Sequence, residues 1–243
     1  MVPQGRAEPR GPHAKSGSVA DPARLPPLAR WSRVNAVALL VATVVALGAH
    51  DTAPYVAIGA LSFFGLLARS RGHFTPRGGF GAANALTALR FAIASAVGLV
   101  PDSVPTFALG ATVLGVFALD GLDGWVAKRR GESSEFGAHF DMETDAYFVL
   151  LIGLELFTRG RYGAWILVVG LLRYVYVLAL ALFPARRGDK PRFTFGRHAF
   201  TGLMIGLSSG MMLGEPFGSI FTLVGCGLVT ASFLHSFYWS YLG

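Results

Sequence analysis

Apolar residues recur along this chain in continuous blocks, with no alternation of polar and apolar positions inside them. Eight blocks stand out: Val34 to Ala49, Ala53 to Ala68, Ala82 to Val100, Val104 to Ala127, Gly137 to Phe157, Tyr162 to Phe183, His198 to Leu213 and Phe217 to Leu242. Each has about the length a helix needs to cross a bilayer. Continuous runs argue against a transmembrane barrel, whose strands alternate. The pattern predicts an all-α fold, a polytopic transmembrane helical bundle. His50, Asp51 and Thr52 part the first two blocks, which predicts an N-terminal hydrophobic hairpin.

Composition strengthens this. Of the 243 residues, 53% are hydrophobic and 14% charged, with a mean hydropathy of +0.51. Soluble domains carry about a quarter charged residues. Residues 1–33 are rich in Pro, Gly and Arg and cannot bury a core, so a disordered basic arm is expected there. Its long basic stretch lacks the form of a signal peptide. Three regions follow: 1–33 as the arm, 34–81 as hairpin and linker, and 82–243 as a six-helix domain. The single cysteine, Cys226, lies within an apolar run and reads as a packing residue.

The net charge of +7 asks first which side of the membrane the cations face. If the N-terminus is cytoplasmic, 17 of the 21 Lys and Arg fall in inside segments. Arg159 and Arg161 fall outside, and Arg90 and Arg173 lie within helices. This bias predicts a protein of the cytoplasmic membrane with both ends inside. No basic stretch is interleaved with aromatics, so no nucleic-acid partner is expected. Gly202, Gly206 and Gly210 share one face of the seventh block, which predicts close helix packing.

Half of the 14 acids of the chain gather between two blocks, in LDGLDGWVAKRRGESSEFGAHFDMETDAYF, Leu119 to Phe148. Asp120 and Asp123 are three apart, Asp141 and Asp145 four apart, so each pair shares a helix face. Gly124 and Ala127 follow Asp120 on its own face and leave a strip with almost no side chain. Arg129 to Phe136 reads as a polar linker. Four neighbouring carboxylates repel one another, and charge in the membrane is costly. Lys128, Arg129 and Arg130 point toward solvent by position, which leaves few fixed cations. Hard divalent cations such as Mg²⁺ take oxygen ligands and commonly combine carboxylates with substrate phosphate. A divalent site built between two helices, with two ions (Mg²⁺ or Mn²⁺), is the expectation.

The same string resembles the signature of the CDP-alcohol phosphotransferases, D-x2-D-G-x2-A-R-x8-G-x3-D-x3-D. It reads here as Asp120, Asp123, Gly124, Ala127, Lys128, Gly137, Asp141 and Asp145, with every spacing kept and one departure, Lys128 for Arg. Upstream, Asn84, Thr87 and Arg90 resemble the family's N-x2-T-x2-R. The resemblance covers the third to eighth blocks and leaves out the hairpin and the arm.

What the resemblance implies is an enzyme that displaces CMP from a CDP-linked donor, usually CDP-diacylglycerol, with an alcohol, in phospholipid biosynthesis. Asp120, Asp123 and Asp141 would be metal ligands. Asp145 would approach the second metal and act as general base. Asn84, Thr87, Gly124 and Ala127 would shape the cytidine diphosphate pocket, with Arg90 or Lys128 on a phosphate. The resemblance also implies a homodimer as one assembly state, with the glycine face available for it or for internal packing.

Other readings follow from the residues. Glu143 lies off the motif face and reads as solvated or paired, and His139 as structural. Glu155 is an intramembrane acid whose expected partner is Arg173, with acceptor recognition as the sharper role. Lys190, Arg192 and Arg197, with Arg173, are candidates for binding the acceptor, and positive-inside bias would also place the first three. The donor could instead be a soluble CDP-alcohol and the acceptor diacylglycerol. A divalent-cation transporter or an inactive scaffold are the rivals from other classes.

Overall fold

The hydrophobic blocks fold as helices whose ends are set by turn chemistry. The computed structural model describes residues 27–183 and 195–241. The expectations for Lys190, Arg192 and most of the arm, and for the side chain of Asp123, lie outside the described residues. Eight α-helices are present among those described: α1 (Pro27–Ala49), α2 (Ala53–Arg69), α3 (Ala82–Val97), α4 (Thr106–Arg130), α5 (Glu135–Thr158), α6 (Leu167–Leu182), α7 (Phe195–Met212) and α8 (Phe217–Tyr241). A 3-10 turn, Ala164–Ile166, leads into α6. The protein is a polytopic helical bundle. Among the described residues, four helical segments are long and apolar enough to cross a membrane: Leu28–Ala49, Thr106–Arg130, Ala164–Leu182 and Phe217–Tyr241.

Two departures from the hydropathy pattern matter most. The first helix starts at Pro27, inside the segment expected to be disordered. A proline is tolerated in a first turn because its missing N–H has no helical partner there. Trp31 fastens this turn by donating its indole N–H to the Ser62 carbonyl at 3.1 Å. The fourth helix runs on to Arg130 and the fifth restarts at Glu135, so the expected linker shrinks to four residues.

Helix α5 is the axis of the bundle. Its run from Ala146 to Leu156 is buried on every side, as suits a helix apolar all round. Helix α3 packs against both α4 and α5, and the hairpin α1–α2 packs on the side of α5 and α6. Aromatic contacts hold that hairpin: Tyr55 stacks on Tyr147 at 5.1 Å and Phe63 on Phe91 at 4.3 Å. Helices α7 and α8 form the tightest pair. A Cβ on Gly206 would stand 2.6 Å from the Phe221 carbonyl oxygen, and one on Gly225 would stand 2.7 Å from that of Gly202. The glycine face of α7 is therefore spent inside the chain, against α8, as small-residue interfaces in membranes are.

Candidate active site

The local chain explains how the acids meet. Gly131 ends α4 in the left-handed region, φ 64, where a residue with a Cβ is disfavoured. The Glu132 N–H turns back to the Ala127 carbonyl at 2.9 Å. Three residues on, Ser134 caps α5: its Oγ accepts from the Gly137 N–H at 3.0 Å and donates to the Phe74 carbonyl at 2.6 Å. The tight linker sets the acidic end of α4 beside the acidic start of α5.

Asp120, Asp141 and Asp145 each offer a carboxylate oxygen within 4.8 Å of the others. The centre of this group is Arg90 of α3, only 2% exposed. Its Nη2 lies 2.6 Å from Asp120 Oδ1, and its Nη1 donates to Asp141 Oδ1 at 2.7 Å. Nη2 also donates to Asp145. Such charge-assisted bonds are the strong class of hydrogen bond. The sequence offers few fixed cations for these acids, and the resemblance implies Arg90 or Lys128 on a substrate phosphate. The structure instead sets Arg90 among the carboxylates, because α3 wedges against both α4 and α5.

The donor set suits a hard divalent cation. Counting these four side chains alone, three carboxylates against one guanidinium leave two negative charges, and all ligand atoms are oxygens. All three aspartates are partly open to solvent, from 21% to 39%, so an ion and a phosphate can reach them.

Two cavities open beside the cluster. The smaller, about 190 Å³, is lined by Asn84, Thr87, Gly124, Ala127, Lys128 and Asp141 among others. Five of these are the nucleotide-site residues predicted from the motif. Asn84 and Thr87 are buried. The Asn84 amide donates to the Phe80 carbonyl at 2.7 Å and the Phe74 carbonyl at 3.2 Å, which fixes the loop before α3. A Cβ on Gly124 would meet nothing within 4 Å, whereas one on Gly137 would stand 2.9 Å from Asn84 Oδ1. The first glycine leaves open room; the second allows close packing. The larger cavity, about 650 Å³, lies between α5, α6, α7 and α8 and is mostly apolar. Asp145 and Arg173 are its charged wall.

Arg173 and Glu155 pair elsewhere than expected. Arg173 does not pair with Glu155. It donates from Nη2 to Glu143 Oε1 at 3.0 Å. Glu155 pairs with Arg159 at 2.7 Å, four residues on along its own helix, and accepts from the Thr52 hydroxyl at 2.9 Å. Glu143 is paired and buried, 1% exposed, so the solvated alternative falls. His139 Nδ1 lies 3.2 Å from the carbonyl of Glu135 in its own helix. Arg197 is exposed near the start of α7.

Glu132 is a residue that the sequence reading missed. Its Oε2 accepts from the Ala82 and Ala83 N–H groups at 2.8 and 3.2 Å, capping α3 from fifty residues away, and it also lines the smaller cavity. Its only trace in the sequence is an acid directly after the helix-ending glycine. Asn35 is another, a lone amide in an apolar block.

The carboxylate cluster stands between two cavities inside a helical membrane bundle. The sequence model of the CDP-alcohol phosphatidyltransferase family matches residues 80–232, and the chain belongs to that family. Neither the curated proteins nor the solved structures contain a match. The matched region starts after the α1–α2 hairpin and takes in α3 to α7 and most of α8.

Proposed function

We propose that the protein transfers a phosphatidyl group from a CDP-linked lipid, with CDP-diacylglycerol as donor, to an alcohol, releasing CMP in phospholipid biosynthesis. The carrying observation is the juxtaposition of the two cavities at one cluster: Asp141 lines the smaller and Asp145 the larger. The cytidine diphosphate enters the smaller cavity, against Asn84, Thr87, Gly124, Ala127 and Lys128. The acceptor enters from the larger, where Arg173 stands, with Arg197, Lys190 and Arg192 as further candidates to draw in an anionic acceptor.

Asp120, Asp123, Asp141 and Asp145 would hold the divalent ions, Mg²⁺ or Mn²⁺. When bound, such ions offset the charge of the pyrophosphate and polarise its phosphoryl oxygens. The chain supplies position and charge, the main requirements of phosphoryl transfer. Asp145 takes the proton from the acceptor hydroxyl. The alcohol oxygen bonds to the phosphorus that carries diacylglycerol, the pyrophosphate P–O bond breaks, and CMP leaves with that electron pair. Arg90 holds Asp120, Asp141 and Asp145 together through the reaction. The charge bias favours the cytoplasmic membrane, with the site at its cytoplasmic face.

The test is CMP release by the purified protein in lipid with CDP-diacylglycerol, Mg²⁺ or Mn²⁺, and a panel of alcohols, with mass spectrometry of the lipid product. CMP and a new phospholipid are expected. Release only from a soluble CDP-alcohol with diacylglycerol would reverse donor and acceptor. Cation flux in proteoliposomes without CMP release would overturn the enzymatic reading.

A further inference from the structure

The hairpin α1–α2 lies outside the family match, yet it reaches the charged wall of the larger cavity. Glu143 follows Met142 on α5, and Met142 lines that cavity. Its two carboxylate oxygens have different partners. Oε1 accepts from Arg173 Nη2 at 3.0 Å. Oε2 accepts from the Asn35 amide of α1 at 3.1 Å. Asn35 is fully buried. Its own oxygen accepts from the Ser62 hydroxyl of α2 at 2.7 Å. That hydroxyl sets which end of the amide faces Glu143, because a donor at Oδ1 leaves the NH2 for the carboxylate.

We infer that Asn35 is a positioning residue for Arg173, acting through Glu143, and so sets how tightly the larger cavity holds an anionic acceptor. A buried carboxylate needs all its hydrogen bonds met. With Asn35 in place, Oε2 is satisfied from α1 and only Oε1 faces Arg173. Without it, the carboxylate is free to turn both oxygens onto the guanidinium, in the two-pronged pairing that arginine favours. That draws Arg173 toward Glu143 and away from the cavity it lines. The Arg173 Nε has no hydrogen-bond partner among the described residues, so the guanidinium has a donor available for that second prong. The inference rests on the proposal that the acceptor enters by this cavity.

The experiment measures CMP release by the full chain in lipid, with CDP-diacylglycerol as donor. Glycerol 3-phosphate and inositol 1-phosphate serve as anionic probes, glycerol and inositol as neutral ones. Asn35→Leu is expected to raise KM for the anionic probe by about tenfold, the scale of one hydrogen bond to a charged group. The donor KM and kcat should stay within about twofold of wild type, since the change spares the groups that react. In an Arg173→Gln background, Asn35→Leu should add nothing to the acceptor KM, as two residues acting through one group are non-additive. Ser62→Ala, which removes only the orienting hydroxyl, should move the acceptor KM the same way by less, and it carries the test if Asn35→Leu fails to fold. An unchanged acceptor KM, an equal rise in the donor KM, or an undiminished effect without Arg173 overturns the inference while the transferase stands. No CMP from wild type with any probe removes the functional reading, and the inference with it.

Discussion

Asp145 carries the heaviest chemical demand, because it stands in the carboxylate cluster and on the wall of the larger cavity. Asp145→Asn keeps the shape and removes the proposed base. CMP release should fall by at least about a hundredfold, while isothermal titration still shows CDP-diacylglycerol binding. Asp120→Asn should instead raise the divalent-ion concentration needed for half-maximal rate. Arg90 has a structural demand as well. Replacing it with Ala leaves three carboxylates facing one another without their shared cation. Breaking a buried pair costs about 3–5 kcal/mol, and the partial exposure of the aspartates puts Arg90→Ala at the low end of that range. Chemical denaturation should show that loss, and added Mg²⁺ should recover part of it if the ions bind where proposed.

Among the helices, α3 depends on a cap that comes from the far side of the smaller cavity. Glu132→Ala removes the acceptor of two N–H groups at its first turn, a loss of about 1 kcal/mol. Because the same turn carries Asn84, the donor KM should rise with little change in acceptor KM. Helices α7 and α8 depend on the absence of side chains. Gly206→Val would press a branched side chain onto the Phe221 carbonyl and should cost about 1–3 kcal/mol, visible as a lower Tm. The eight helices were legible because each apolar block is continuous. The carboxylates of α4 and α5 were legible because residues three and four apart must share a face. Which charge meets which was not. Helical spacing gave no sign that α3 would wedge beside both α4 and α5, so Arg90 looked like a phosphate ligand. Arg159 looked like a loop residue, although one helical turn separates it from Glu155. Glu132 could not be read at all, since its partners lie fifty positions away.

For the bundle as a whole, the two ends of α5 are held very differently. Near Asp141 the chain offers a cluster of acids gathered on Arg90 and two cavities. At the other end, Arg159 is 7% exposed and fans its donors onto the carbonyls of Val100 at 3.1 Å and Val104 at 3.2 Å while paired with Glu155. Arg159→Ala leaves a buried carboxylate with the Thr52 hydroxyl but without its cation and takes the donor from several carbonyls, and a drop of about 3 kcal/mol is expected, read as earlier thermal unfolding. The fan also has a mechanical consequence. With the turn between α3 and α4 riveted to α5 at one end, that end is the fixed one, and the proposed donor lipid would have to part the helices from the acidic end. Amide exchange should therefore quicken around residues 131–134 and stay slow around 97–104 when donor lipid is added.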